Sequence, residues 1–112
     1  MVIIMQKGQV YFVTEGNYIK IGYTSQNIDK RIHQLNTGSI HKLYLLGWIY
    51  GNKKIEKELH IKFAQSRVRY NAEWFEPTEE LLKFINENNL EPNSYVDFVD
   101  GKLVRLFSLS LI

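Results

Sequence analysis

An α+β fold is predicted by three features of this chain of 112 residues: two β-rich runs around a Gly-Asn pair, three helical segments with apolar stripes, and a second hairpin signal near the C-terminus. The length fits one compact domain. At 45% hydrophobic, with only two prolines, the chain carries enough apolar matter to form a core and fold alone.

The first hairpin is read from Val10-Tyr11-Phe12-Val13 and Tyr18-Ile19-Lys20-Ile21-Gly22, with Gly16-Asn17 as its turn. That turn sets Phe12 opposite Ile21 and places Val10, Phe12, Ile19 and Ile21 on one core face. Tyr11, Val13, Tyr18 and Lys20 then share the other face, with Lys20 diagonal to Tyr11, where a polar site is expected. Residues 28–36 follow as a helix, because Ile28, Ile32 and Leu35 recur at spacings of four and three behind Asn27 as N-cap. On that helix Arg31 lies at the shoulder of the apolar stripe and His33 points away.

The run Leu43-Tyr44-Leu45-Leu46-Gly47-Trp48-Ile49-Tyr50 reads as a central strand covered on both faces. A second helix after Gly51-Asn52 turns Ile55, Leu59 and Phe63 inward and sets Glu56 and His60 together on its flank. Residues 70–75 read as a connection bearing two aromatics. Pro77 is then expected at the first position of a third helix, which has acids in its first turn and Leu81, Phe84 and Ile85 inward. Asp100-Gly101, between 96–99 and 103–106, predicts the last hairpin. Residues 1–90 are taken as the functional domain and 91–112 as an extension packed on it or on a partner, a second copy included.

The absence of cysteine excludes disulfide scaffolds, thiol nucleophiles and Cys-ligated metal centres. Met1-Val2-Ile3-Ile4-Met5 is too short for a secretory or membrane segment, so no membrane association and a cytoplasmic location are expected. Charge is split along the chain. Residues 1–72 hold 11 Lys/Arg against 4 Asp/Glu, and residues 73–112 hold 3 against 8. A basic front suits a polyanion docking on one side, although two solvated surfaces would read the same.

No phosphate loop, dinucleotide fingerprint, His-Glu-x-x-His motif or nucleophile elbow is present. Tyr11, Lys20, Arg31 and Glu56 remain, and each alone has an ordinary packing or surface explanation. Together a phenol, two cations and a carboxylate match metal-assisted phosphodiester hydrolysis, which needs a proton acceptor, charge stabilisers and a divalent-cation ligand. His60 reads as a hydrogen-bonded structural residue before a second ligand. His41 is either a supporting acid or base or a loop residue; His33 is surface; Trp48, Trp74 and Phe75 read as core.

In order along the chain, Val10-Tyr11-Phe12, Lys20-Ile21-Gly22-Tyr23-Thr24, Lys30-Arg31 and Leu35-Asn36-Thr37-Gly38 resemble the GIY-YIG nuclease superfamily. Ile55-Glu56-x-x-Leu59-His60 and Glu73-Trp74-Phe75 look like its small single-domain branch, common in phages and bacteria. The resemblance covers residues 8–86. It implies a small antiparallel three-stranded sheet flanked by helices, and a DNA endonuclease that hydrolyses phosphodiester bonds with one Mg²⁺ or Mn²⁺.

Carried over by position, Tyr11 activates water, Arg31 steadies the phosphate and Glu56 is the metal ligand. Lys20 stands in place of the second motif's tyrosine, while Tyr23 stands where some members carry lysine. Both therefore count as candidate catalytic residues, beside His41. Lys20, Lys30, Arg31 and Lys42 are candidate nucleic-acid contacts, and Gly22, His60, Trp74 and Phe75 structural ones. Glu73 lies nearest the place of a C-terminal asparagine found in several members. The alternatives are a nucleic-acid-binding or protein-interaction module without catalysis, and an RNase or toxin-like nuclease of the same chemistry.

Overall fold

The computed structural model describes residues 8–69 and 73–108. Its elements are β1 (Gln9–Thr14), β2 (Ile19–Thr24), α1 (Ile28–Asn36), β3 (Tyr44–Tyr50), α2 (Lys53–Lys62), β4 (Trp74–Phe75), α3 (Glu79–Asn88), β5 (Ser94–Val99) and β6 (Lys102–Phe107), with one 3₁₀ turn at Ala64–Ser66. β1 and β2 form the expected hairpin, Phe12 opposite Ile21. Gly16 adopts a φ of 122°, which only glycine takes without strain.

The sheet is antiparallel with order β3-β1-β2-β4, and β5 and β6 form a separate hairpin. Four strands therefore replace the expected three. The additional strand falls within the segment read as a connection, because Phe75 is fully buried and its neighbour Trp74 pairs with Lys20. Residues 70–72 of that segment lie outside the described residues. β1 is a central strand, whereas β3, expected to be central, lies at an edge. Its apolar run is covered on both faces as expected, Leu46 and Ile49 packing into one core and Leu43, Leu45 and Trp48 into another. Its outer edge is met in part by Leu90 N–H, which donates to the Trp48 carbonyl at 2.9 Å, and by Asn89 Oδ1, which accepts from Trp48 N–H at 3.1 Å.

Asn89 Oδ1 also accepts from Glu91 N–H at 2.9 Å. Asn89→Ala would leave two backbone donors without that acceptor, so a loss of about 1–3 kcal/mol is expected in chemical denaturation. A slope unchanged from wild type would show the loss to be in stability.

One face of the sheet packs Val10, Phe12, Ile19, Ile21 and Leu46 against Leu59 of α2, Phe63 just after it, and Leu81 and Ile85 of α3. Val96 and Leu103 of the terminal hairpin complete that core. The hairpin turn puts Asp100 and Gly101 at φ 52° and 77°, as a primed two-residue turn requires. Asn86 fixes the hairpin by pairing its side chain with both Val96 N–H (2.7 Å) and Val96 C=O (3.1 Å).

The other face carries a second apolar cluster of Tyr11, Val13 and Ile28, with Ile32, Leu35, Leu43, Leu45 and Trp48 around it. Here the expectation of an open polar face is corrected: Tyr11 is 1% and Val13 0% exposed. The stripe of α1 must bury itself somewhere, and it takes this face. Two helix starts fall where expected, with Asn27 Oδ1 accepting from Asp29 and Lys30 N–H and Asn52 Oδ1 from Ile55 N–H. The third differs. Thr78 is the cap of α3, its hydroxyl accepting from Leu81 N–H, so Pro77 stands one residue before the cap and not at the first helical position, which is Glu79. No described helix is long and apolar enough to cross a membrane.

Candidate functional site

β4 meets β2 only at Ile19 and Lys20, its other side being bridged by Arg67 and Val68, so the outer edge of β2 runs on past it. At the step, Ile21 N–H donates to the Glu73 carbonyl at 3.2 Å and the Ile21 carbonyl is bonded to His60 Nε2 at 2.9 Å. Strand, helix and the start of β4 are thereby tied at one place. Lys20, with 13% of its side chain exposed, pairs there with the Glu73 carboxylate and lies 5.9 Å from the centre of the Trp74 ring.

Gly22 sits opposite Tyr11, and a side-chain carbon at Gly22 would overlap the hydroxyl and ring of that phenol. Glycine is therefore required by close approach. Arg31 enters from α1, half-buried, and its Nε is buried with no hydrogen-bond partner among the described residues. An unpartnered guanidinium nitrogen at such a place suits an anion.

Glu56 is half-buried on α2. Burial pushes its carboxyl above the ordinary range, the cation of His60 pulls it back, the charge of Glu73 raises it further, and Lys20 and Lys53 lower it. Glu73 moves the other way. The hydrogen bond from Lys20 holds it below the ordinary range against burial, helped by the charges of Lys20, His60 and Arg31. Lys20, Arg31, Glu56, His60 and Glu73 thus act on one another across β2, α1, α2 and the start of β4.

These shifts give a signed expectation for stability. A carboxyl whose folded pKa is raised stabilises the fold below the ordinary carboxylate range and loses that contribution as pH rises through its folded value. Glu56→Gln should therefore raise the melting temperature of the metal-free protein at neutral pH, the gain shrinking to nothing by about pH 4. Thermal unfolding followed from acid to neutral pH checks it. Glu73, with its pKa lowered, stabilises above the ordinary range and loses that contribution in acid, so Glu73→Gln should have the opposite sign.

Among the described residues no group of three or more His, Asp or Glu could hold a metal ion. The donor set does not suit zinc, which takes three or four protein ligands. A single accessible carboxylate is compatible with a hard cation that keeps several waters and takes further oxygens from a substrate.

Other candidates lie apart. Tyr23 belongs to the opposite side of the β2 pleat from Lys20 and Gly22, its ring close to Gly8. Lys30 is exposed on α1, and His41 and Lys42 are exposed on the connection from α1 to β3. Phe75 is core, but Trp74 belongs to neither apolar cluster. The residues that the sequence reading underweighted are Glu73, whose place near Glu56 depends on pairing between distant segments, and Lys53, one turn before Glu56 on α2.

Fold and site define a small α+β domain with a cluster of mixed charge at the open edge of an antiparallel sheet. The family model of the T5orf172 domain matches residues 8–89, and the chain belongs to that family. This domain is associated with phage and bacterial nuclease-like proteins, and membership is compatible with a nuclease-like or DNA-binding role. No curated protein and no solved structure matches the chain.

Proposed function

We propose that the chain is a divalent-metal-dependent endonuclease of the GIY-YIG type that hydrolyses DNA phosphodiester bonds. The observation that carries this reading is the meeting of Lys20, Arg31, Glu56 and Glu73 in one electrostatic cluster, with the Arg31 Nε buried and unpartnered. Arg31 and Lys20 would hold the non-bridging oxygens of the phosphate, where negative charge grows as water bonds to phosphorus and the bond to the leaving oxygen breaks. Glu56 would hold Mg²⁺ or Mn²⁺, which supplies charge stabilisation at the leaving oxygen.

Tyr11 would take the proton of the attacking water. That role rests on the resemblance. The burial of Tyr11 beneath α1 and against Gly22 equally gives it a packing role. This burial is also the one observation that favours the second reading, a nucleic-acid-binding module on the same fold without catalysis.

Incubation of the purified chain with plasmid, single-stranded DNA and RNA, with Mg²⁺ or Mn²⁺, tests the proposal. Metal-dependent cleavage of DNA is the expected result, with Tyr11→Phe slower by about a hundredfold. Cleavage unimpaired in Tyr11→Phe would leave the phenol a packing group. Binding with steep salt dependence and no cleavage under either metal would establish the second reading.

A further inference from the structure

Lys20 and Gly22 share one side of β2, Tyr18 stands just before the strand, and Trp74 stands beside Lys20 on the neighbouring strand. Tyr18 and Trp74, with Val68 and Glu15, line a shallow cavity of about 240 Å³. Tyr18 is 42% exposed, and Trp74 is half-buried outside both apolar cores. Two large rings thus face one recess at the edge of the sheet, next to the candidate phosphate-holding lysine. Of the charged groups around it, the Glu15 carboxylate is taken by the Asn17 and Tyr18 N–H groups of the turn (2.7 and 2.6 Å), and that of Glu73 by Lys20.

We infer that the Tyr18–Trp74 recess is a subsite for one unpaired nucleobase of the strand being cut, stacked against the aromatic rings while Lys20 holds the adjoining phosphate. The inference rests on the nuclease reading above and adds a substrate class to it, namely nucleic acid that is single-stranded or locally opened next to the scissile linkage. Charge and shape both support a nucleotide as the occupant. The Lys20 ammonium lies 5.9 Å from the Trp74 ring centre, so a cation for a phosphate stands next to an aromatic surface, and aromatic faces accept any base. A base still paired in a duplex has no free face to offer.

The test is binding of a labelled single-stranded DNA oligonucleotide in EDTA, compared with a series in which one position at a time is abasic. For the wild-type chain, one abasic position should weaken binding about tenfold. Tyr18→Leu and Trp74→Leu should bind the intact strand about tenfold more weakly and lose the abasic discrimination, while Trp74→Phe keeps most of both. Tyr18→Leu, at an exposed position, keeps the test valid if replacement of Trp74 perturbs folding.

Equal binding of intact and abasic strands by wild type, or an unchanged abasic effect in folded Tyr18→Leu and Trp74→Leu, would overturn the inference. If cleavage is still metal- and Glu56-dependent in that case, the nuclease reading stands and only the subsite falls. A wild-type chain that neither binds nor cuts any oligonucleotide overturns both.

Discussion

Glu56→Gln should lower the rate of DNA cleavage by about a hundredfold or more while leaving the fold intact. The side chain is half-buried and has no neighbouring set of carboxylates or histidines among the described residues to take over a cation. Glu73 is the nearest substitute in charge, but it is held by Lys20, so its carboxylate is not free to replace Glu56 without releasing that ammonium. The amide is isosteric and removes only the charge. The variant should therefore still bind DNA, because the cations of Lys20 and Arg31 remain in place. A retained cleavage rate at equal metal concentration would remove Glu56 from the chemistry.

Gly22→Ala should destabilise the protein by about 3 kcal/mol, at the upper end of overpacking in a well-filled core. For a domain of this size that corresponds to a melting temperature lower by about 10–20 °C. A methyl group at residue 22 would overlap the Tyr11 hydroxyl and two of its ring atoms, and the ring has no room to retreat between β1 and α1. Removing the hydroxyl alone, as in Tyr11→Phe, should not relieve the overlap, because ring carbons remain in the way. Combining Gly22→Ala with Tyr11→Leu should recover part of the loss, a non-additivity that two independent sites would not show. Simple addition of the two effects would place the strain elsewhere.

The parts of this fold that were legible in the sequence are those set by neighbours in the chain. Gly16-Asn17 and Asp100-Gly101 fix two hairpins through turn geometry, and Asn27 and Asn52 fix two helix starts through side-chain hydrogen bonds. The alternation of Val10, Phe12, Ile19 and Ile21 identified the face that holds the main core. The same alternation assigned Tyr11 to the other face but carried no information about what covers it, and α1 does.

β4 was not legible because two residues display no period, and its place is set by Phe75 filling the core and by pairing with β2 more than fifty residues earlier, as in Lys20 with Trp74. The apolar run of β3 correctly signalled cover on both faces but not its place in the strand order, which is an edge met in part by Asn89 and Leu90. For α3 the start was read two residues early from the proline's preference for the first helical position, whereas the Thr78 hydroxyl caps the helix and makes Glu79 its first residue. In the site, Lys20, Arg31 and Glu56 stood out as residue types. Their electrostatic partner Glu73 did not, since surface and functional carboxylates look alike until the chain is folded.

The most direct test of the cluster as a metal-assisted site is titration of the isotope-labelled protein with substoichiometric Mn²⁺, read as paramagnetic loss of backbone amide signals. Signals around Glu56, with Lys20–Gly22 and Glu73 nearby, should vanish first, and Glu56→Gln should abolish that pattern. Losses centred instead on the acidic first turn of α3, or unchanged by Glu56→Gln, would contradict the assignment of the metal to this edge of the sheet.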